Sequence, residues 1–129
     1  MFNNHKVETL LFHDIKPLLD KNGIKIFKNL EVLKKKKYFQ KIGLSIYDMN
    51  YLNKIILNYN LDVIQCPYNI LDKRILSIGC FEKLKSLGIE IHIRSIFLQG
   101  LLVNKSFYKL NYFKKWKKHF FEWFKILEN

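Results

Sequence analysis

The sequence predicts an α/β fold in which about four parallel β-strands alternate with helices. Apolar runs of strand length recur along the chain, and segments of helical periodicity lie between them. No hairpin turn signal joins neighbouring strand candidates, which favours parallel pairing through helical crossovers. Each strand candidate also carries a polar side chain near its carboxyl end, where parallel sheets bind their ligands.

The length and composition indicate one compact domain. A chain of 129 residues is long enough for a real core, and the hydrophobic share of 49% and aromatic share of 16% exclude a disordered chain. No apolar run approaches the ~20 residues of a membrane span, and the N-terminus lacks the apolar core of a signal peptide. Cys66 and Cys80 make neither a disulfide framework nor a metal motif. We therefore expect a cytoplasmic protein without a structural metal.

The net charge of +12 is a weak indicator of function. It comes from 23 basic and 11 acidic residues, and all the basic residues except Arg74 and Arg94 are lysines. Lysine, asparagine and isoleucine are abundant together, as in chains encoded by AT-rich DNA. Such a bias raises the charge without selection for nucleic-acid binding, although the charge would still attract anionic ligands.

The first half of the chain predicts two strands and one long helix. Both strands are apolar runs, and the helix has a narrow apolar face between lysines. Its lysine run, Lys34–Lys37, is most simply a solvated helix end, where positive charge suits the helix dipole. In order, the predicted elements are a strand Glu8–His13, a short helix or loop Ile15–Gly23, a surface helix Phe27–Phe39 and a strand Lys41–Tyr47.

The second half predicts two more strands and two more helices. Asp48 is a good N-cap, and Gly88 is a good helix terminator. Pro67 ends the third strand. The predicted elements are a helix Met49–Asn60, a strand Asp62–Cys66, a helix Ile75–Leu87, a strand Ile89–Phe97 and a loop Leu98–Asn104.

The last segment, Ser106–Glu128, predicts a basic amphipathic helix. Its aromatic and aliphatic residues fall on one stripe, and lysines flank that stripe. A helix of this kind binds a membrane surface or a partner, but a stripe at this spacing more commonly packs in a core, on the sheet or on chain that is missing. The stripe consists of Phe113, Trp116, Phe120, Phe124 and Leu127.

Strand alternation brings four polar side chains to one face near the carboxyl edge of the predicted sheet. They are His13, Ser45, Gln65 and Arg94. Each also has an ordinary structural explanation. A histidine at a strand end is commonly a hydrogen-bonded core residue, and Arg94 has a possible ion-pair partner in Glu90 on the same face.

The strand ends resemble those of the aldo/keto reductases, NADP-dependent oxidoreductases built on a (β/α)8 barrel. The resemblance rests on four segments in the family's order and spacing: Leu10–His13, Lys41–Tyr47, Val63–Arg74 and Ile91–Gly100. It implies a partial TIM barrel of about four parallel βα units, barrel strands four to seven, plus a C-terminal amphipathic helix. Residues 1–129 would form a single partial domain that lacks the N-terminal strands and the last strand. A flavodoxin-like sheet is the alternative.

The resemblance also implies roles for individual residues. His13 matches the histidine that donates a hydrogen bond to the carbonyl of an aldehyde or ketone substrate, and is the catalytic candidate. Ser45 and Gln65 match residues that hold the nicotinamide carboxamide of NADP, and Arg94 stands where many members have an aromatic ring that stacks on the nicotinamide. Three further cofactor-binding candidates lie on the loop that wraps the pyrophosphate: Ser95, Leu98 and Gly100.

Two departures from the family pattern change the functional expectation. Ile46 stands where many members have asparagine. The family's catalytic aspartate, tyrosine and lysine belong to the first three barrel strands, and this chain begins just before the fourth. We therefore expect a reductase fragment that is inactive alone, unless other chain completes the barrel.

The sequence is also compatible with two other classes of function. A basic nucleic-acid-binding module would use Lys34–Lys37 and Lys114–Lys118, but arginine is nearly absent and no known motif appears. An interaction module would use the exposed edges of half a barrel, through which the chain would self-associate or pair with another chain.

Overall fold

A computed structural model describes residues 7–77 and 79–128 of the chain, and within them strands and helices alternate. The chain divides at Arg94/Ser95 into two compact units. The strands are β1 Val7–Phe12, β2 Phe39–Ser45, β3 Val63–Pro67 and β4 Glu90–Arg94. The helices are α1 Lys16–Leu19, α2 Gly23–Lys35, α3 Leu52–Asn58, α4 Arg74–Ser77, α5 Cys80–Ser86 and α6 Lys117–Leu127.

The first unit is built on one four-stranded sheet. Its strand order is β1-β2-β3-β4, and every neighbouring pair is parallel. The prediction of parallel strands with helical crossovers is therefore confirmed. Because all four strands run the same way, their carboxyl ends meet at one edge of the sheet.

One face of this sheet carries the helices and holds the core of the first unit. Ile42 and Leu44 of β2 and Ile64 of β3 point to this face and are almost completely buried. They lie in one apolar cluster with side chains from the helices, among them Leu52 and Leu84. Alternation along each strand sends the remaining side chains to the other face, as the sequence predicted.

Gly43 lies on the face away from the helices, at a point where two neighbouring strands leave no room for a side chain. A Cβ atom at Gly43 would come within 2.8 Å of the Val63 carbonyl oxygen and 2.4 Å of Leu11 Cδ2. Leu11, Gly43 and Val63 are register partners in β1, β2 and β3. A glycine here allows Leu11 to pack across the middle of the sheet.

The first long helix occupies a different range from the one predicted. The prediction placed it at Phe27–Phe39, whereas α2 begins at Gly23 and ends at Lys35. Lys37 has a left-handed backbone with φ of 62°, which stops the helix. Phe39 is buried and opens β2. The helical spacing of Phe27 and Leu30 is real, but Phe39 belongs to the sheet.

The later helices begin and end close to their predicted signals. The Asp48 carboxylate accepts the N–H of Asn50 at 3.0 Å and caps a 3-10 turn, Met49–Tyr51, that leads into α3. Gly88, with φ of 69°, follows the end of α5 and donates its N–H to the carbonyl of Lys85. The helix predicted at Ile75–Leu87 is two helices, α4 and α5, with left-handed Gly79 before α5; Ile78 lies outside the described residues.

The second unit contains α6, which covers only the last part of the predicted helix Ser106–Glu128. Two 3-10 helices, Phe107–Lys109 and Asn111–Trp116, precede it. Of the predicted stripe, Phe120 and Phe124 are buried, and Phe113 packs edge-on against Phe120 with ring centroids 5.8 Å apart. Trp116 and Leu127 are exposed. The predicted stripe required one continuous helix, whereas the segment is divided into two 3-10 helices and α6. Packing of this helix on the sheet stays a prediction.

None of the helices within residues 7–77 and 79–128 combines the length and the apolar character that a membrane span requires. Residues 7–77 and 79–128 hold no group of three or more His, Cys, Asp or Glu side chains that could bind a metal ion. Cys66 and Cys80 are buried free thiols.

Candidate functional site at the carboxyl edge of the sheet

The carboxyl edge of the sheet brings together the strand-end residues of the first unit. Ser45, the last residue of β2, is the register partner of Gln65 in β3. Arg94, the last residue of β4, is the partner of Pro67. His13 directly follows β1. A hydroxyl and an amide side chain thus stand side by side on one face, because residues 45 and 65 have the same orientation in neighbouring strands.

A cavity of about 380 Å³ opens at this edge, and we call it the rim cavity. Both His13 and Ser45 line it; His13 is exposed, and Ser45 is buried. The volume lies within the range of small-molecule sites. The remaining lining residues are Asp14, Ile15, Lys16, Leu19, Tyr47, Asp48 and Tyr51.

Tyr47, in the wall of the rim cavity, is held by both arginines of the chain. The Arg94 guanidinium lies over its ring, with Cζ 3.7 Å from the ring centroid. Arg74 donates from Nη1 to the Tyr47 carbonyl oxygen at 3.0 Å. The Arg74 hydrogen bond to Asp72 lowers the pKa of that carboxyl and raises the pKa of the guanidinium. The Asp72 carboxylate balances the Arg74 charge, and the Arg94 guanidinium lies against a wall residue of this rim.

The ion pair considered between Arg94 and Glu90 is not formed. Glu90 accepts from Lys41 Nζ at 2.7 Å and lies 3.4 Å from Nε2 of His92. Lys41 also donates to Glu8 at 3.1 Å. The Lys41 hydrogen bond lowers the pKa of Glu90, and the same bond raises the pKa of Lys41. Arg94 Nε and Nη2 are buried without an acceptor among the described residues.

The loop that begins the second unit has an unusual backbone. Ser95, Leu98 and Gln99 all have positive φ values, of 60°, 50° and 54°. The Leu98 N–H donates to the Ser95 carbonyl, and the Gly100 N–H donates to the Phe97 carbonyl, each at 3.0 Å. The resemblance implied that backbone N–H groups of this loop bind a pyrophosphate. Here two of those groups already close turns within the loop.

A larger cavity, of about 550 Å³, lies at the opposite, amino end of the strands, and we call it the lysine cavity. It contains none of the predicted site residues. Lys34, on its wall, donates to both carboxylate oxygens of Asp62 at 2.7 and 2.6 Å, and Asp62 also accepts the Ile42 N–H. Lys34 therefore ties α2 to the sheet and is more than a solvated helix end. The lining is Val7, Glu31, Lys34, Lys35, Lys37, Phe39, Gln40 and Asn60.

A four-stranded parallel sheet with helices on one face and polar strand ends at its carboxyl edge is the architecture of a partial α/β barrel. A sequence profile of the aldo/keto reductase family matches residues 2–128. The chain therefore belongs to the aldo/keto reductase family.

A solved structure supports the same fold. The holo form of the aldo-keto reductase AKR11C1 from Bacillus halodurans superimposes with a TM-score of 0.62 at 24% sequence identity. The match covers 76% of this chain and 32% of that one, so it spans about a third of the length of that reductase. No curated protein matches the chain.

The sequence reasoning missed the residues that follow β2. Tyr47 and Tyr51 line the rim cavity, and each ring is about half exposed. Tyr47 was placed at the end of the predicted strand Lys41–Tyr47 and was given no role at the site. The available signal was its place two residues beyond the end of a strand, since side chains there surround the ligand edge of a parallel sheet.

Proposed function

We propose that the chain forms the nicotinamide- and carbonyl-binding rim of an NADP-dependent aldo/keto reductase. The observation that carries the proposal is that Ser45, the register partner of Gln65, lines the rim cavity together with His13. The nicotinamide, when bound, supplies the hydride for reduction of an aldehyde or ketone. A carboxamide has one acceptor oxygen and two donor hydrogens, and the Ser45 hydroxyl and Gln65 amide offer both complements.

His13 has the orienting role in this proposal. As an exposed imidazole at the mouth of the rim cavity, it donates a hydrogen bond to the carbonyl oxygen of the substrate. That bond orients the carbonyl and stabilises the negative charge that develops on its oxygen during reduction. The loop with Ser95, Leu98 and Gly100 would bind the pyrophosphate once its internal turn hydrogen bonds rearrange.

The 129-residue chain is proposed to be inactive alone. The family's catalytic aspartate, tyrosine and lysine have no match in its sequence. Without the tyrosine acid, the hydrogen bond from His13 orients a carbonyl but supplies no proton in the family's way. Other chain would have to complete the barrel before a carbonyl substrate is reduced.

The test is a titration with NADPH followed by its fluorescence, for the wild type and for Ser45→Ala and Gln65→Ala. We expect saturable binding that each substitution weakens by about tenfold, the loss of one hydrogen bond of about 1.4 kcal/mol. Gln40→Ala, on the lysine cavity, is the matched control and should bind as the wild type. NADPH oxidation with an aldehyde panel should stay at the background rate. Wild-type binding that neither substitution changes would contradict the proposal.

A role in assembly is supported by the edges of the sheet. β1 and β4 are its outer strands among the described residues, and edge strands offer unpaired backbone groups to another chain. We propose that these edges pair with further barrel strands or with a second copy of the chain. Light scattering of this chain across a concentration series distinguishes pairing with a second copy from a monomer. A cytoplasmic location is proposed from the two free, buried thiols.

A further inference from the structure

The guanidinium of Arg94 has one edge that lacks an acceptor. Nε and Nη2 are both buried and form no hydrogen bond with the described residues. These two nitrogens lie on the same side of the planar group, so their N–H bonds point in one direction as a fork. An arginine keeps its charge at any ordinary pH, and a buried donor without an acceptor destabilises the protein by about 1–3 kcal/mol.

Arg74 shows what the Nε–Nη2 edge of a guanidinium group binds elsewhere in the same chain. Its Nε donates to Asp72 Oδ1 at 2.9 Å, and its Nη2 donates to Asp72 Oδ2 at 2.7 Å. This is the two-point arrangement that an arginine makes with a carboxylate or a phosphate. Glu90 is the carboxylate in the same strand as Arg94. It accepts a hydrogen bond from Lys41 and does not bind Arg94. Arg94 thus offers the same fork with no oxygen pair on it.

The surroundings hold the Arg94 fork in place at the carboxyl edge. The Tyr47 ring packs against the flat face of the guanidinium, which leaves the edge nitrogens available for hydrogen bonds in the plane. Tyr47 also lines the rim cavity. A hydrogen bond made to a buried charged group is stronger than one made in water. A neutral carbonyl supplies one acceptor atom, whereas an oxoanion supplies two at the spacing of the fork.

We propose that Arg94 is a specificity-determining residue that binds an oxoanion, a carboxylate or phosphate group of the ligand at this rim. The inference rests on the proposed function, since it assumes that the rim binds a ligand. Two sources offer the same chemistry: a carboxylate of the carbonyl substrate, or a phosphate of the nucleotide. Because the fork is buried, side chains at the rim move to admit the anion.

The chain contains only two arginines, which makes a direct test possible. The Nε–H groups of Arg74 and Arg94 give two signals in a proton–nitrogen correlation spectrum, and Arg74→Lys assigns them by elimination. Acetate, inorganic pyrophosphate and chloride are titrated at equal ionic strength. We expect acetate and pyrophosphate to shift the Arg94 signal saturably, and chloride to leave it unchanged. The Arg74 signal, already bonded to Asp72, is the internal control and should move little.

Two further measurements complete the design. Arg94→Lys keeps the charge but lacks the fork, so acetate should raise the melting temperature of the wild type and not of this variant. NADPH added before acetate identifies the source: if the nucleotide occupies the fork, acetate causes no further shift, and if it leaves the fork free, the acetate shift persists.

The outcomes separate this inference from the proposed function. An Arg94 signal that follows ionic strength alone, equally with chloride and acetate, overturns the oxoanion site even if NADPH binds at the rim. A saturable acetate shift without any binding of NADPH supports the oxoanion site and contradicts the proposed cofactor instead.

Discussion

Arg94 reaches across β3 to lie on the ring of Tyr47, with its guanidinium carbon 3.7 Å from the ring centroid. Arg94 is the last residue of β4, and Tyr47 lies two residues beyond the end of β2, so the contact links two strands that are not neighbours in the sheet. It fixes a tyrosine of the rim cavity and an arginine fork relative to each other. The contact thus organises part of the carboxyl edge.

The stacking contact should be measurable in stability. Tyr47→Ala removes the ring and should lower the free energy of unfolding by about 1 kcal/mol, while Tyr47→Phe keeps the ring and should cost much less. Tyr51→Ala is the matched control, because Tyr51 lines the same cavity and has a similar exposure. Urea unfolding gives all three values. Equal losses for the alanine substitutions at 47 and 51 would show that the contact contributes nothing specific.

The packing at Gly43 predicts the sign of a substitution. In an open strand, Gly→Ala stabilises by about 0.4–1 kcal/mol, because it restricts the unfolded chain. At Gly43 the new methyl group meets the Val63 carbonyl oxygen at 2.8 Å, and backbone cannot turn aside as a side chain can. Gly43→Ala should therefore destabilise the protein by about 1–3 kcal/mol in urea unfolding. A stabilised variant would contradict the described register of β1, β2 and β3.

The ion pair of Lys41 with Glu90 predicts a pH dependence on the acid side. The Lys41 hydrogen bond holds the pKa of Glu90 below its ordinary value of 4.5. Stability from this group is complete above that value and is lost as the pH falls through the lower, folded-state pKa. The free energy of unfolding, measured in urea, should therefore differ less between the wild type and Lys41→Met as the pH is lowered from 5 toward 3.

Lys28→Met, at an exposed position of α2, is the control for that experiment. It changes the net charge by the same amount, so any general effect of charge appears in both variants. A difference between wild type and Lys41→Met that stays constant over the pH range, or that matches the Lys28→Met difference throughout, would show that the pair does not stabilise the fold.

The cysteines should be unreactive in the folded protein. Burial raises the pKa of Cys66 from 9.0 to about 11, and burial also raises the pKa of Cys80. Since the thiolate is the reactive form, a thiol reagent at pH 7 should label neither residue until the chain unfolds. Cys80→Ala leaves Cys66 as the only reporter. Rapid labelling of that variant without denaturant would show that β3 is open to solvent.

The sequence predicted the sheet well because two signals agreed at every strand. Apolar runs predicted the positions of the strands. The polar residue near each carboxyl end predicted which face of the sheet carries Ser45, Gln65 and Arg94. Helix ends were predicted correctly where a single residue caps the helix. Asp48 caps the turn that leads into α3, and Gly88 follows the end of α5. Such signals are local, so one sequence is enough to read them.

The predictions that were wrong share one physical cause. The correct answer at each of these positions depends on contacts between residues that are distant in the chain. The start of β2 at Phe39 was assigned to a helix, because an aromatic residue fits either period and only the β1 pairing decides. Lys34 was expected in solvent, but its partner Asp62 is 28 residues away. Arg94 was considered as the cation paired with Glu90, whereas the donor to the Glu90 carboxylate is Lys41, two strands across the sheet.

The carboxyl edge of the sheet is the proposed binding site of the nicotinamide cofactor. The main competitor is the lysine cavity, which is larger and would attract the phosphates of NADPH by charge alone. Mapping backbone amide shifts during an NADPH titration distinguishes the two ends of the same strands. We expect the largest shifts at Ser45–Asp48 and Gln65–Tyr68. Shifts concentrated at Lys34–Gln40, with the carboxyl edge unchanged, would contradict binding of NADPH at the carboxyl edge.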